Sequence, residues 1–250
     1  MADESPDRLA LRGKLLIGAD LTGAHFRDSD LRGVKVADSW LIDVNMSGEV
    51  KNFLVNDVDV APLVEAELDR RHPERVLVRT MATADEHRAT WQTIQGLWAD
   101  TVARARRLPE PLLHEQVDDE YSFTETLRHL IFATDAWAGR SILGDEKPYA
   151  RLGLTHSSYP PDDARALGID LGAQPSFDEV LEVRAERLAV VGAIVEGLTD
   201  ASLEQTNDLP PAPGYPEETR TVRRCLRVVM NEECEHRRYA VRDLTVLESR

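Results

Sequence analysis

The chain has 250 residues, 42% hydrophobic and 30% charged, an ordinary globular composition with enough length for a full core. No stretch nears the roughly 18 uninterrupted apolar residues of a membrane helix. The acidic start MADESPDRLA has no apolar leader core, and Cys225 and Cys234 are too few for a disulfide framework or a four-thiolate zinc site. A reduced, cytoplasmic protein without a membrane partner is expected. Its net charge of −15 repels phosphate backbones, so no nucleic-acid partner is expected either.

The first sixty residues read differently from the rest. From Lys14 they divide into fives: KLLIG, ADLTG, AHFRD, SDLRG, VKVAD, SWLID and VNMSG. The central residues are Leu16, Leu21, Phe26, Leu31, Val36, Leu41 and Met46. An apolar residue at every fifth position fits neither a helix nor a strand. It fits a coil that turns a corner each five residues and points one apolar side chain inward. The segment resembles the pentapeptide-repeat family, pattern A(D/N)LXX, which implies a short right-handed β-helix. Structural packing or a homodimer contact is the role expected of so short a coil. The domain boundaries expected are 10–58 for the repeats, 59–80 for a helical linker and 81–250 for the remainder.

The linker segment Pro62–Arg75 reads as one short helix, with Pro62 in its first turn and Pro73 closing it. From Ala82 the period becomes helical. Trp91, Ile94, Trp98, Val102 and Ala105 share one face of a helix over about 83–107. A second helix runs from Ser122 to about Leu143, opened by the capping-box spacing Ser122…Glu125. Residues 144–175 show little periodicity. A third helix spans about 176–198, opened by Ser176…Glu179, and a last one runs from about Thr219 nearly to the C-terminus. The runs Arg104–Arg107 and Arg223–Arg224 read as solvated helix faces. Four amphipathic helices, two of them joined through long connections, predict a mainly α protein with a four-helix bundle. No strand, Gly-rich loop and helix follow one another, which argues against nucleotide binding.

The last helix carries the chemistry. On a wheel of about 100° per residue, Val222, Val229, Ala240 and Leu247 fall within about 40° of His236, so this histidine points inward. Either Glu232 or Glu233 could share its face, while Glu235 lies nearer solvent. A buried His beside a buried carboxylate is either a hydrogen-bonded core pair or a pair of metal ligands, since positions i and i+4 reach one ion. His129, on the second helix, would supply a third donor. Such a two-His, one-carboxylate set leaves positions open for water or substrate. Cys225 and Cys234 do not read as nucleophiles. His25, His87, His114 and His156 read as surface residues, and Asp243 as an acceptor that could orient His236.

The segments Tyr121–Trp137 and Asn231–Leu244 resemble the second and last helices of the DinB-like superfamily. That resemblance implies a four-helix bundle of DinB-like type, with metal ligands at His129, Glu232 and His236. Glu232 stands where many members have the first His of an H-x-x-x-H pair, a replacement found in the mycothiol-dependent maleylpyruvate isomerase branch. The ion implied is Zn2+, with another divalent transition metal as the alternative. The activity implied is that of a thiol S-transferase or isomerase, which activates a low-molecular-weight thiol such as mycothiol as co-substrate for attack on an electrophilic small molecule. Arg237 and Arg238 are candidates for binding an acidic group of that thiol. A di-iron reading finds only one E-x-x-H spacing, Glu233…His236. The alternative in another class is a non-catalytic, metal-stabilised interaction module with an acidic repeat cap.

Overall fold

The computed structural model describes residues 11–26 and 29–250. The expected start of the repeat segment at residue 10, and Arg27 and Asp28 within the third repeat, lie outside them. The chain divides into two compact units at Asp43/Val44.

In the first unit the backbone takes a left-handed φ at the fifth position of each repeat described: +63° at Gly18, +72° at Gly23, +74° at Gly33, +49° at Asp38 and +55° at Asp43. Only glycine, and to a lesser degree Asp or Asn, enters this region cheaply, which is why Gly or Asp closes each group of five. Three of the corners are closed by backbone bonds, Lys14 N–H to Leu11 O, Ala24 to Leu21 and Val34 to Leu31, at 3.0–3.1 Å. The central residues Leu16 to Leu41 are 50–57% exposed, against 73–93% for Leu15, Ile17, Trp40 and Ile42 beside them. One side chain in five does turn inward, but it stays half covered. Among the described residues of this unit no strand forms.

The second unit opens with a hairpin of β1 (Leu54–Val55) and β2 (Val58–Asp59). Helix α1 (Ala61–Arg71) and helix α2 (Glu74–Thr80) follow. The single linker helix expected from the sequence is therefore two. Pro73 serves as the N-cap residue of α2, a place where its missing N–H costs nothing. Val78 and Met81 join the main core.

Four long helices make that core: α3 (Ala84–Ala105), α4 (Phe123–Thr134), α6 (Phe177–Glu196) and α7 (Val222–Leu247), with the short α5 (Pro161–Ala166) in the connection that sequence left without periodicity. Helices α3 and α4 each pack on both α6 and α7. Reciprocal capping boxes start α3 at Thr83/Glu86, α4 at Ser122/Glu125 and α6 at Ser176/Glu179. On α3 the expected face is buried, with Val102 half-buried. His87 is a correction: it is fully buried, with Nδ1 2.7 Å from the Thr83 carbonyl. It lies on the stripe Ala84, Trp91, Ile94 and Trp98, whose three- and four-residue steps carry it inward.

Helix α4 is buried at every position except Glu125. It continues as a π-helical stretch, Asp135–Arg140, in which the Ser141 and Leu143 amides reach back to the Ala136 and Ala138 carbonyls. Gly139 lets this stretch meet the following loop, since a Cβ there would stand 2.7 Å from Pro148 Cβ. Strands β3 (Thr206–Asn207) and β4 (Arg220–Thr221) pair ahead of α7. No helix among the described residues is long and apolar enough to cross a membrane.

Candidate metal centre

Residues 144–175 form no long element, yet α4 fixes their course. The buried Arg128 guanidinium donates to the carbonyls of Leu152, Asp170 and Ala173 at 2.9–3.0 Å. The Leu154 amide donates to Arg128 O. Asp135 accepts from the Ala150 amide at 2.7 Å and from Arg187 at 2.9 Å. These bonds set the Leu154 carbonyl 3.0 Å from Nδ1 of His129.

That contact decides the chemistry of His129. A carbonyl only accepts, so the proton of the neutral ring sits on Nδ1 and the Nε2 lone pair faces the other way. Nε2 faces Oε2 of Glu232 at 3.5 Å, and Nε2 of His236 faces the same oxygen at 3.2 Å. The two imidazole centroids are 4.6 Å apart. An ionised carboxylate opposite an imidazole lone pair is repulsive unless a cation lies between them, and three donor atoms that lie within 4.8 Å of one another can share one. Tetrahedral coordination at 2.0–2.1 Å puts neighbouring donors about 3.3–3.4 Å apart, close to the two separations observed. The residues present therefore fit a divalent metal ion.

His129 is buried, and His236 and Glu232 are half-buried. Burial pushes the Glu232 carboxyl up, but hydrogen bonds and positive charge from the two histidines, available while no cation holds their facing nitrogens, outweigh it and keep the group below the usual carboxylate range. Tyr121 and Phe132 flank His129, with ring centroids at 5.6 and 6.4 Å.

The structure separates the two carboxylates that the helical wheel left open. Glu232 faces the histidines. Glu233 is 1% exposed and paired with Arg184 of α6 at 2.5 Å, while its carbonyl accepts from the Trp98 indole. The E-x-x-H spacing Glu233…His236 therefore does not converge. Glu235 pairs with Arg75 and Arg238. Asp243 accepts from Arg242. Arg237 donates to Leu97 O, Thr101 Oγ1 and Glu74, and Arg238 to Glu235 while lying over Tyr239. Both arginines are thus occupied by partners within the protein. The Leu154 carbonyl is the participant that sequence reasoning missed, because a main-chain acceptor leaves no mark in the residue types.

Residues 93–240 match the DinB superfamily, which includes metal-dependent enzymes, and residues 15–48 match eight copies of the pentapeptide repeat. No curated protein and no solved structure matches the chain. The superfamily match covers more than half of the sequence and contains all three donors, so the chain belongs to the DinB superfamily and carries a segment of pentapeptide repeats ahead of that domain.

Proposed function

We propose that His129, Glu232 and His236 hold one zinc ion in a DinB-type four-helix bundle, and that the protein is a transferase or isomerase acting with a low-molecular-weight thiol such as mycothiol. The observation that carries the reading is the convergence of two imidazole nitrogens and a carboxylate oxygen within 4.8 Å of one another, with the Leu154 carbonyl on Nδ1 of His129 turning that ring's Nε2 toward the others. Zinc bound there would make thiolate available at neutral pH. The protein's own thiols offer no substitute: burial pushes Cys225 up to about 11 and Cys234 up to about 12. The nucleophile then comes from outside the chain. With an alkyl halide its sulfur forms the new S–C bond as the carbon–halogen bond breaks, halide leaves with the electron pair, and the thiol proton passes to solvent. The chain holds His129 in one tautomer and supplies a carboxylate that balances part of the ionic charge. Electrophile and thiol are the partners of this reading.

Metal analysis after chelator-free purification, followed by consumption of mycothiol with monobromobimane, tests it. One transition-metal ion per chain is expected, and His236→Ala should lose both metal and turnover while keeping its helical circular dichroism. Absence of stoichiometric metal overturns the reading. Bound metal without thiol consumption, in a protein that unfolds when the metal is removed, favours a metal-stabilised interaction module instead.

A further inference from the structure

The connection Asp208–Thr219 ahead of α7 contains Pro210, Pro211, Pro213 and Pro216. Side chains secure its carbonyls almost one by one. Ser141 donates to Leu209 O at 3.1 Å, Arg140 to Pro210 O at 2.8 Å and Tyr149 to Pro211 O at 2.6 Å. Tyr159 donates to Pro213 O at 3.0 Å and the buried Arg220 to Pro216 O at 2.6 Å. Proline fixes φ and removes an N–H that would need a partner, so this strap is rigid in itself as well as tied down.

Tyr215 is the side chain that the strap presents. Its ring meets Trp137 edge-on at 6.0 Å and His156 at 6.5 Å. It packs on the apolar cluster that contains Phe132, whose ring is 6.4 Å from that of His129. Burial and the nearby charge of Glu232 both raise the phenol, which keeps its proton. The other tyrosines are engaged. Tyr121 donates to Thr155 O, Tyr149 and Tyr159 hold the strap, and Tyr239 lies against Arg238 and Arg242. Among the described residues the Tyr215 hydroxyl has no hydrogen-bond partner. A protonated phenol without an acceptor, on a rigid mount in the aromatic cluster that reaches His129 through Phe132, is a preorganised donor for a ligand.

We propose that Tyr215 contacts the ligand of the metal centre: its hydroxyl donates a hydrogen bond to the anionic atom, a thiolate sulfur in the working protein, that takes the open position beside His129, Glu232 and His236. The inference rests on the metal reading of the site, and the experiment separates the two. The full-length protein is loaded with cobalt(II), and azide is titrated against its visible absorption. Tyr215→Phe should raise the azide dissociation constant about tenfold, the worth of one hydrogen bond to a charged acceptor, with cobalt affinity unchanged. Tyr239→Phe should stay within twofold of the parent. Cobalt uptake with a Tyr215→Phe value within twofold overturns this inference alone, as does a parent spectrum that azide does not perturb. Failure of the parent to take up cobalt overturns the metal reading and this inference with it.

Discussion

The repeat unit and the helical unit were built by different means. In residues 11–43 each corner is decided within five residues, by a Gly or Asp that tolerates a left-handed φ, and every described residue of that unit is exposed. In residues 44–250 the decisive contacts span the chain: His129 meets Glu232 and His236, and Glu233 meets Arg184 across 49 positions. A local code specifies a path, whereas a chemical site needs burial, and burial needs distant partners. Breaking one long-range contact should therefore cost far more than breaking one corner.

The largest effect is expected at Arg184. Its guanidinium is 2% exposed, lies over Trp98 at 5.2 Å and neutralises the equally buried Glu233. Arg184→Met leaves that carboxylate without its counter-charge and should lower unfolding stability in urea by about 3–5 kcal/mol. Adding Glu233→Leu removes the stranded charge and should restore most of the loss. A double variant no more stable than the single one would show that the pair acts by packing rather than by charge.

How far the sequence could be read follows from the same contrast. The five-residue period of the repeats was legible from their central apolar positions, because its cause is local, while the part played by the closing Gly or Asp shows only in its φ. Helices α3, α4, α6 and α7 were legible from apolar periodicity and capping residues. His129 and His236 could be paired from helix order and helical phase. Glu232 and Glu233 could not be told apart, since both lie within reach of the His236 face and only Arg184, on another helix, settles which turns inward. The π-helical stretch and α5 carry no periodic signal that would reveal them. His87 was misread because one polar residue in an apolar stripe looks like a boundary position until Ala84, Trp91 and Ile94 close around it.

An effect of middle size comes from two buried titrating groups of opposite sign. Burial pushes the Asp135 carboxyl up to about 6 from its ordinary 3.8. Its native form thus holds the proton more tightly than the unfolded chain does, so the stability it contributes is full below about pH 4 and is lost as pH rises through about 6, a change of about 3 kcal/mol. Burial pushes His87 below its ordinary 6.5, so its contribution is lost as pH falls below that value. Between pH 4 and 6.5 the two slopes oppose each other, so in urea midpoints measured across that range Asp135→Asn should remove the falling component and leave a midpoint that rises with pH. An Asn variant whose midpoint still falls as pH rises from 4 to 6 would assign that fall to another group.

The smallest effect belongs to the corners. At Gly33, φ is +74° and an added Cβ would find nothing within 4 Å, so any cost is one of backbone conformation and not of crowding. Gly33→Val should cost about 1–2 kcal/mol, the penalty of an L-residue held in the left-handed region. It should speed exchange of the Val34 amide, which closes that corner onto Leu31 O. Gly33→Asp should cost less, because Asp38 and Asp43 already hold left-handed φ values at the same repeat position. The helical unit serves as the internal reference, and its amides should exchange at parent rates in both variants. Equal acceleration by Val and Asp would show that the corner depends on the absence of a side chain, and the alternation of Gly and Asp along the repeats would then need a cause other than φ.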